Sequence, residues 1–330
     1  MGSSLVDVAQ LAGVAPSTVS KAFTDRYSIN QTTRNRILEV AKRLDYAPSA
    51  TGRALALGKT HTIGVYYRHG GLPNALLGTM LEGSEDIFKK AGYRIMVITQ
   101  SETKTDINQA VRQRFVDGMI ISHCRDDRLQ AFMHDKNFPY VLMNAEQDSS
   151  SDFVMGDNKE GIKHAVEYLY GLGHRKIAFI NGPRYAHITH KLRAEAYIEA
   201  MALKGLPAIP GYNKHIPVQE RLTELLDKPD VPTALLCFND DIAIEIIGSL
   251  LRRGIKVPQN ISVIGCDDNT EMVKHCYPSL TTIHVPFKEM GSEAARLLLM
   301  RIEDPNHAIE VRILKQNLVV RESTGPVVGQ

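Results

Sequence analysis

Two regimes of hydrophobic spacing divide the chain. Up to about residue 47, apolar side chains recur every three or four positions in short runs, the period of helices that bury one stripe. Leu5, Val8, Ala9 and Ala12 form a first stripe, Val19, Ala22 and Phe23 a second, and Ile37, Val40, Ala41 and Leu44 a third. Gly13 is placed to end the first helix, since glycine accepts the left-handed backbone of a sharp corner, and Val14 plugs the space behind it. Pro16 opens the second helix, where its missing N–H costs least. Asn30 is a good N-cap for a third helix, predicted to run through Tyr46. Three short helices with a glycine turn between the first two make a helix-turn-helix unit, in which the second helix is the groove-reading one. Periodicity alone leaves a plain three-helix bundle as the alternative.

From His61 onward the pattern becomes short apolar runs alternating with amphipathic stretches. Residues 60–67, 93–100, 117–123 and 140–144 read as strands, separated by helices at 75–92, about 105–116 and near 126–137. A second unit starts with a helix at 158–174. Strands at 175–183, 232–240 and 261–268 follow, with helices near 190–204 and at 241–253 between them. Such a βαβα rhythm predicts parallel, doubly wound sheets. The fold class is therefore α/β, an all-α N-terminal unit followed by two doubly wound subdomains.

Composition adds little beyond class. The 330 residues are 43% hydrophobic and 23% charged, with no tryptophan, as expected of a globular protein with sizeable cores. No run approaches the ~20 apolar residues of a membrane span, and no signal-peptide pattern opens the chain, so a cytoplasmic location is expected. The four cysteines, Cys124, Cys237, Cys266 and Cys276, are scattered and read as free thiols. Charge is more informative. Residues 1–59 carry eight basic and four acidic side chains, a net +4 in a chain of net +2, which leaves −2 for the remainder. A basic head on a mildly acidic body points to a polyanion partner for the head alone. No nucleotide-binding glycine motif, metalloprotease motif or nucleophile elbow occurs, so no enzyme, cofactor or metal is expected. His187 and His190 would share a face if helical; two histidines are more simply ligand contacts or surface groups than a metal site.

The run DVAQLAGVAPSTVSKAF, followed by INQTTRNRILEVAKRLDYAPS, closely resembles the DNA-binding domain of the lactose-repressor/galactose-repressor (LacI/GalR) family. Ala15, Lys21 and Asp45 depart from its usual Ser, Arg and Gly. The resemblance implies that Pro16, Ser17 and Lys21 read base edges, with Thr18, Ser20 and Asn30 as backbone anchors. Lys21 brings a point charge to a guanine where arginine would bring a bidentate fork. Residues 48–59 resemble the family's hinge, which becomes helical on operator DNA. Gly52, Arg53 and Leu55 are its minor-groove candidates, and Leu55 matches the residue that wedges into the operator. Gly52 replaces an alanine and lowers helix propensity by roughly 1 kcal/mol.

The likeness continues through DGMII, GLGHRKIAFINGP, KVPQNISVIGCDD, PSLTTI and VVREST, and implies a periplasmic-binding-protein-like sensor with its ligand between two lobes. Implied boundaries are 1–47 for the DNA-binding domain, 48–59 for the hinge and 60–330 for the effector-binding domain. Lobe 1 takes about 60–157 and 286–317, lobe 2 about 158–285 and 318–330. Open α/β sheets bind ligands beyond the carboxyl ends of their strands. Asn144, Arg193, Asn239 and Asp267 stand there and match effector-contact positions; capping or lobe packing is the alternative for each, and Asp240 is a candidate N-cap. His69, His187 and His190 are further candidates for effector contact. Leu76 and Leu77 stand where relatives place aromatic residues, Val285 replaces a common polar residue, and 206–217 lacks a familiar aromatic stretch. The expected function is a homodimeric repressor that binds double-stranded operator DNA under control of a small polar effector, a sugar, polyol or nucleoside. A phosphocarrier protein docking on the first lobe is a variant the family also admits.

Overall fold

The computed structural model describes residues 3–24, 29–47, 58–68, 74–100, 110–123, 127–147, 149–182, 188–210 and 216–327. The N-terminal unit consists of α1 (Leu5–Ala12), α2 (Pro16–Thr24) and α3 (Gln31–Arg43). Ser4 caps α1 in a reciprocal capping box with Asp7, and Gly13 ends it at φ 61°, ψ 42°. Asn30 caps α3 by accepting from the Thr32 N–H at 2.9 Å. The third helix stops at Arg43, short of Tyr46, with Leu44 as its C-cap. Tyr46 turns back to meet Phe23 edge-on at 6.0 Å. Val8, Ala9, Ala12, Val19, Ala22, Ile37 and Ala41 form one small core, drawn from the three predicted stripes.

The first sheet of the larger region takes β1 (Thr62–Arg68), β2 (Arg94–Gln100), β3 (Gly118–Ser122), β4 (Tyr140–Met143), β5 (Asp152–Gly156) and β11 (Val311–Leu314). Their order is β11-β5-β4-β3-β1-β2, every pair parallel. Helices α4 (Asn74–Lys90) and α5 (Asp127–Asp135) connect its strands, and residues 110–112 are also helical. The second sheet runs β12-β10-β9-β8-β6-β7. Its strands are β6 (Ile177–Ile180), β7 (Ile209–Pro210), β8 (Ala234–Cys237), β9 (Ser262–Asp267), β10 (Thr281–His284) and β12 (Asn317–Val319). All its pairs are parallel except β10 with β12. Connecting helices are α6 (Asn158–Gly171), α7 (Ile188–Leu203), α8 (Val218–Leu226), α9 (Asp240–Arg252) and α10 (Thr270–Val273).

The chain passes between the sheets three times: from β5 into α6, from β10 into α11 (Phe287–Glu303), and directly from β11 to β12. Helix α11 packs on α4 and against β3, β4 and β5. Its approach to α4 is close, because a Cβ on Gly83 or on Gly291 would fall on a carbonyl of the facing helix. The buried central strands are continuous apolar runs, as parallel sheets covered on both faces require. Strand β5, preceded by three serines and only five residues long, carries too little periodicity to be read from sequence, and α8 and the two-residue β7 share that fate. Among the described residues no helix is long and apolar enough to cross a membrane.

Candidate functional site

Parallel winding delivers polar residues to one edge of each sheet. On the first sheet His123 follows β3 and Asn144 follows β4. Both are non-glycine residues in the left-handed region, at φ 54° and 48°, and both are buried. Backbone of this kind is uncommon outside turns and functional sites. The Asn144 amide Nδ2 donates to His123 Nε2 at 2.5 Å. That leaves the His123 proton on Nδ1, facing Ser122 Oγ at 2.6 Å, and Ser122 in turn donates to Met80 Sδ.

The second sheet carries the stronger electrostatics. Arg193 lies in the second turn of α7 and is only 3% exposed. Its guanidinium is held by three acceptors: Nε by Asn158 Oδ1 at 2.9 Å, Nη1 by the Phe238 carbonyl at 2.5 Å, and Nη2 by Asp267 Oδ1 at 3.1 Å. The Phe238 ring lies 4.8 Å from the guanidinium carbon and also stacks on His190, 3.6 Å between centroids and 11° between planes. His190 Nδ1 meets Asn181 Oδ1 at 2.5 Å, beyond the end of β6. Leu192, beside Arg193, and Ile188 pack against the core of the first sheet, so α7 begins in contact with both halves of the sensor.

Burial opposes the charge on Arg193, but the surrounding acidic groups outweigh it and hold the proton. Burial pushes Asp267 up to about 6, even though Arg193 pulls the other way. Its backbone, at φ 114°, is also strained, as is that of Asp268 at 56°. Asp268 falls below the ordinary carboxylate range: burial raises it, and the hydrogen bonds from His284 and Arg321 more than reverse that. His284 is raised by the same hydrogen bond with Asp268.

Asp240 does not cap α9; that role falls to Asn239, whose Oδ1 accepts from the Ile242 N–H at 3.0 Å. Asp240, the first helical residue, turns inward and is buried. Its oxygens accept from Thr282 Oγ1 at 2.5 Å and the Asn269 N–H at 2.8 Å. A Cβ on Gly265 would collide with this carboxyl, so β9 needs glycine there. Burial, then the neighbouring Asp267, raises Asp240 well above the usual range. The carboxyl thus ties α9, β10 and the loop after Asp267 together.

Arg193 and Asp267 are therefore brought into direct contact, Asn239 stands next to Phe238 at the end of β8, and Asn144 sits on the first sheet with His123. His190 belongs to the arginine cluster. His69, His187, Gly52, Arg53 and Leu55 lie outside the described residues. Leu76 and Leu77 are core side chains of α4, and Val285 is buried in the second pass between the sheets. Sequence reading missed His123, Asn158, Asn181 and Phe238. His123 and Asn181 each follow an apolar strand directly, the signal that singled out Asn144.

On the N-terminal unit, Pro16, Ser17 and Lys21 are exposed, and Ser17 and Lys21 are one helical turn apart on α2. Thr18 and Ser20 are half-buried beside them, and Asn30 is exposed at the start of α3.

Residues 4–49 match the family described as bacterial regulatory proteins, lacI family, and residues 166–324 match a periplasmic binding protein-like domain. The HTH-type transcriptional repressor PurR of Aliivibrio salmonicida (strain LFI1238) is 30% identical over 335 residues, covering 97% of this chain and 98% of its own. The lac repressor dimer bound to operator and the anti-inducer ONPF superposes with a TM-score of 0.85 at 25% identity, over 98% of this chain and all of that one. A LacI family transcriptional regulator from Enterococcus faecium, solved with bound ribose, gives 0.71 at 26% identity over 81% of this chain and 100% of its own.

Proposed function

The chain belongs to the lacI family of bacterial regulatory proteins, and on that premise we propose that it is a homodimeric, cytoplasmic repressor whose grip on operator DNA is set by a neutral, hydroxyl-bearing effector bound at Arg193 and Asp267. Its relatives are named transcriptional repressors; it is a regulator and not an enzyme. The observation that carries the effector reading is the Arg193–Asp267 pair itself. A guanidinium from the second turn of α7 and a carboxylate at the end of β9, the latter on strained backbone, are buried together, with Asp267 kept hard to ionise. Such groups cluster at functional sites more than in packing cores. A donor and an acceptor side by side suit adjacent hydroxyls of a sugar, polyol or nucleoside ribose. Because Arg193 is already neutralised by Asp267 and flanked by Asp240, the site favours a neutral ligand over an anion.

In the DNA-binding domain, Pro16, Ser17 and Lys21 read base edges, while Thr18, Ser20 and Asn30 hold the backbone. Gly52, Arg53 and Leu55 serve the minor groove at the centre of a two-fold operator. Asn144 and Asn239 complete the effector contacts, with His190 against Phe238 as one wall.

A thermal-shift screen of sugars, polyols and nucleosides tests the proposal, followed by a gel-shift assay on operator-like duplex with each hit. Ligand at 100 times its Kd stabilises by about 2.7 kcal/mol, an easily visible shift. Hits that change operator affinity support the reading. Hits that bind and leave DNA affinity unmoved refute the regulatory coupling.

A further inference from the structure

Gln316 lies on the third pass between the sheets, between β11 and β12. It is 2% exposed, and among the described residues neither Oε1 nor Nε2 has a hydrogen-bond partner. An amide buried unpaired is worse for the folded state than no amide at all. Buried polar groups of this kind are rare enough to need an explanation.

Its surroundings supply one. Gln316 is pressed against the first pass, where a Cβ on Gly156 would collide with Nε2 and a Cβ on Gly161 would sit 2.5 Å from Oε1. The Gly161 position also faces Ile283 of β10, at the entrance to the second pass. A side chain of the third pass is therefore packed on the first, at a point that also faces the strand leading into the second. Beside it, the Asp157 N–H donates to the Leu314 carbonyl at 2.7 Å, the last rung where β5 and β11 leave the first sheet. The next residue, Asn158, donates to the Gly156 carbonyl at 2.9 Å and accepts from Arg193 Nε.

We propose that Gln316 is a positioning residue that biases the two lobes toward a second arrangement, in which its amide is paired. Rotating one lobe against the other acts on the Asp157–Leu314 rung, because its two ends lead into different passes. Breaking it frees one N–H and one carbonyl next to a side chain that carries one acceptor and one donor. The arrangement seen here leaves the amide unpaired; the second satisfies it. The same movement carries Asn158, and with it Arg193. A group unpaired in one state and paired in the other shifts their balance by on the order of tenfold or more. The inference goes beyond the effector proposal and holds whatever the effector is.

The test is amide hydrogen exchange on the full-length, ligand-free protein. The shape-matched, apolar Gln316→Met removes the unpaired groups. It should slow exchange at Asp157 about tenfold relative to Ile264, in the centre of the second sheet, which reports global opening. Gly161→Ala pushes on Oε1 and should accelerate Asp157 relative to Ile264. Asp157 exchange that is unchanged or faster in Gln316→Met, or slowed only in step with Ile264, overturns the proposal and leaves Gln316 a packing residue. If Gln316→Met does not fold, Gly161→Ala decides alone: an unchanged ratio of Asp157 to Ile264 overturns it.

Discussion

Asp267→Asn separates ligand binding from stability. The substitution keeps the shape and the Oδ1 acceptor facing Arg193 and removes the charge. A carboxyl moved from its ordinary range up to about 6 resists ionisation in the folded chain; at pH 7 that resistance amounts to about 3 kcal/mol, with the attraction of Arg193 already counted. The sign follows from proton binding. A raised carboxyl holds its proton more tightly folded than unfolded, so its contribution is favourable at low pH and is lost as pH rises from about 4 through 6. Asparagine resembles the protonated form at every pH. Arg193 keeps two neutral acceptors, the Asn158 side chain and the Phe238 carbonyl. The variant should therefore match the wild type in urea unfolding near pH 4 and be more stable by roughly 1–3 kcal/mol at pH 7. Effector affinity should fall at least about tenfold, since a charge-assisted hydrogen bond is worth about 1.5–3 kcal/mol. Calorimetric titration with a ligand from the screen measures it, and gel shift should find DNA binding intact. A variant several kcal/mol less stable at pH 7 with wild-type effector affinity would refute the reasoning and make Asp267 a clamp for Arg193.

Effector affinity in the wild type should also decline as pH falls through about 6, where Asp267 takes up its proton; titrations from pH 5 to 7.5 that show no such decline would remove the charged acceptor from the site. Lys21→Ala should cost on the order of 1–3 kcal/mol on the cognate operator and far less on unrelated duplex, measured by competition gel shift; an equal loss on every duplex would make Lys21 a phosphate anchor. Leu55→Ala should weaken operator binding and reduce the DNA bend while effector affinity holds, and an unchanged bend in a circular-permutation gel would deny the wedge. Arg193→Ala leaves Asp267 buried beside Asp240 without its cation, so it should destabilise the sensor by about 3–5 kcal/mol and abolish the effector response.

The N-terminal unit was legible almost in full. The Asn30 cap, the glycine corner and the three stripes are each written within about ten residues, and local rules of helix geometry decide them, whereas the Ser4–Asp7 capping box of α1 was not read. The end of α3 was misjudged, because Tyr46 leaves the helix to pack on Phe23. The alternating rhythm of the sensor and the residues at its strand ends were readable for the same reason: a parallel strand announces its carboxyl end by where the apolar run stops. Charge asymmetry pointed to a polyanion partner for the head without any geometry.

Tertiary structure decided which groups meet. Arg193 and Asp267 are 74 residues apart, and Asp240 and Thr282 are 42 apart; no periodicity relates such pairs. Asn239 and Asp240 are neighbours with equal claims to a helix cap, and only the packing of α9 against β8 and β9 sends one outward to cap and the other inward to Thr282 and the 267–269 loop. Gln316 reads in sequence as an ordinary polar residue between two short strands. It becomes a buried, unpaired amide because three passes of chain converge on it, and convergence is a property of the two sheets together. Local propensity acts over one turn or one strand, whereas burial and the partners available to a buried polar group are set by whatever the rest of the chain brings alongside.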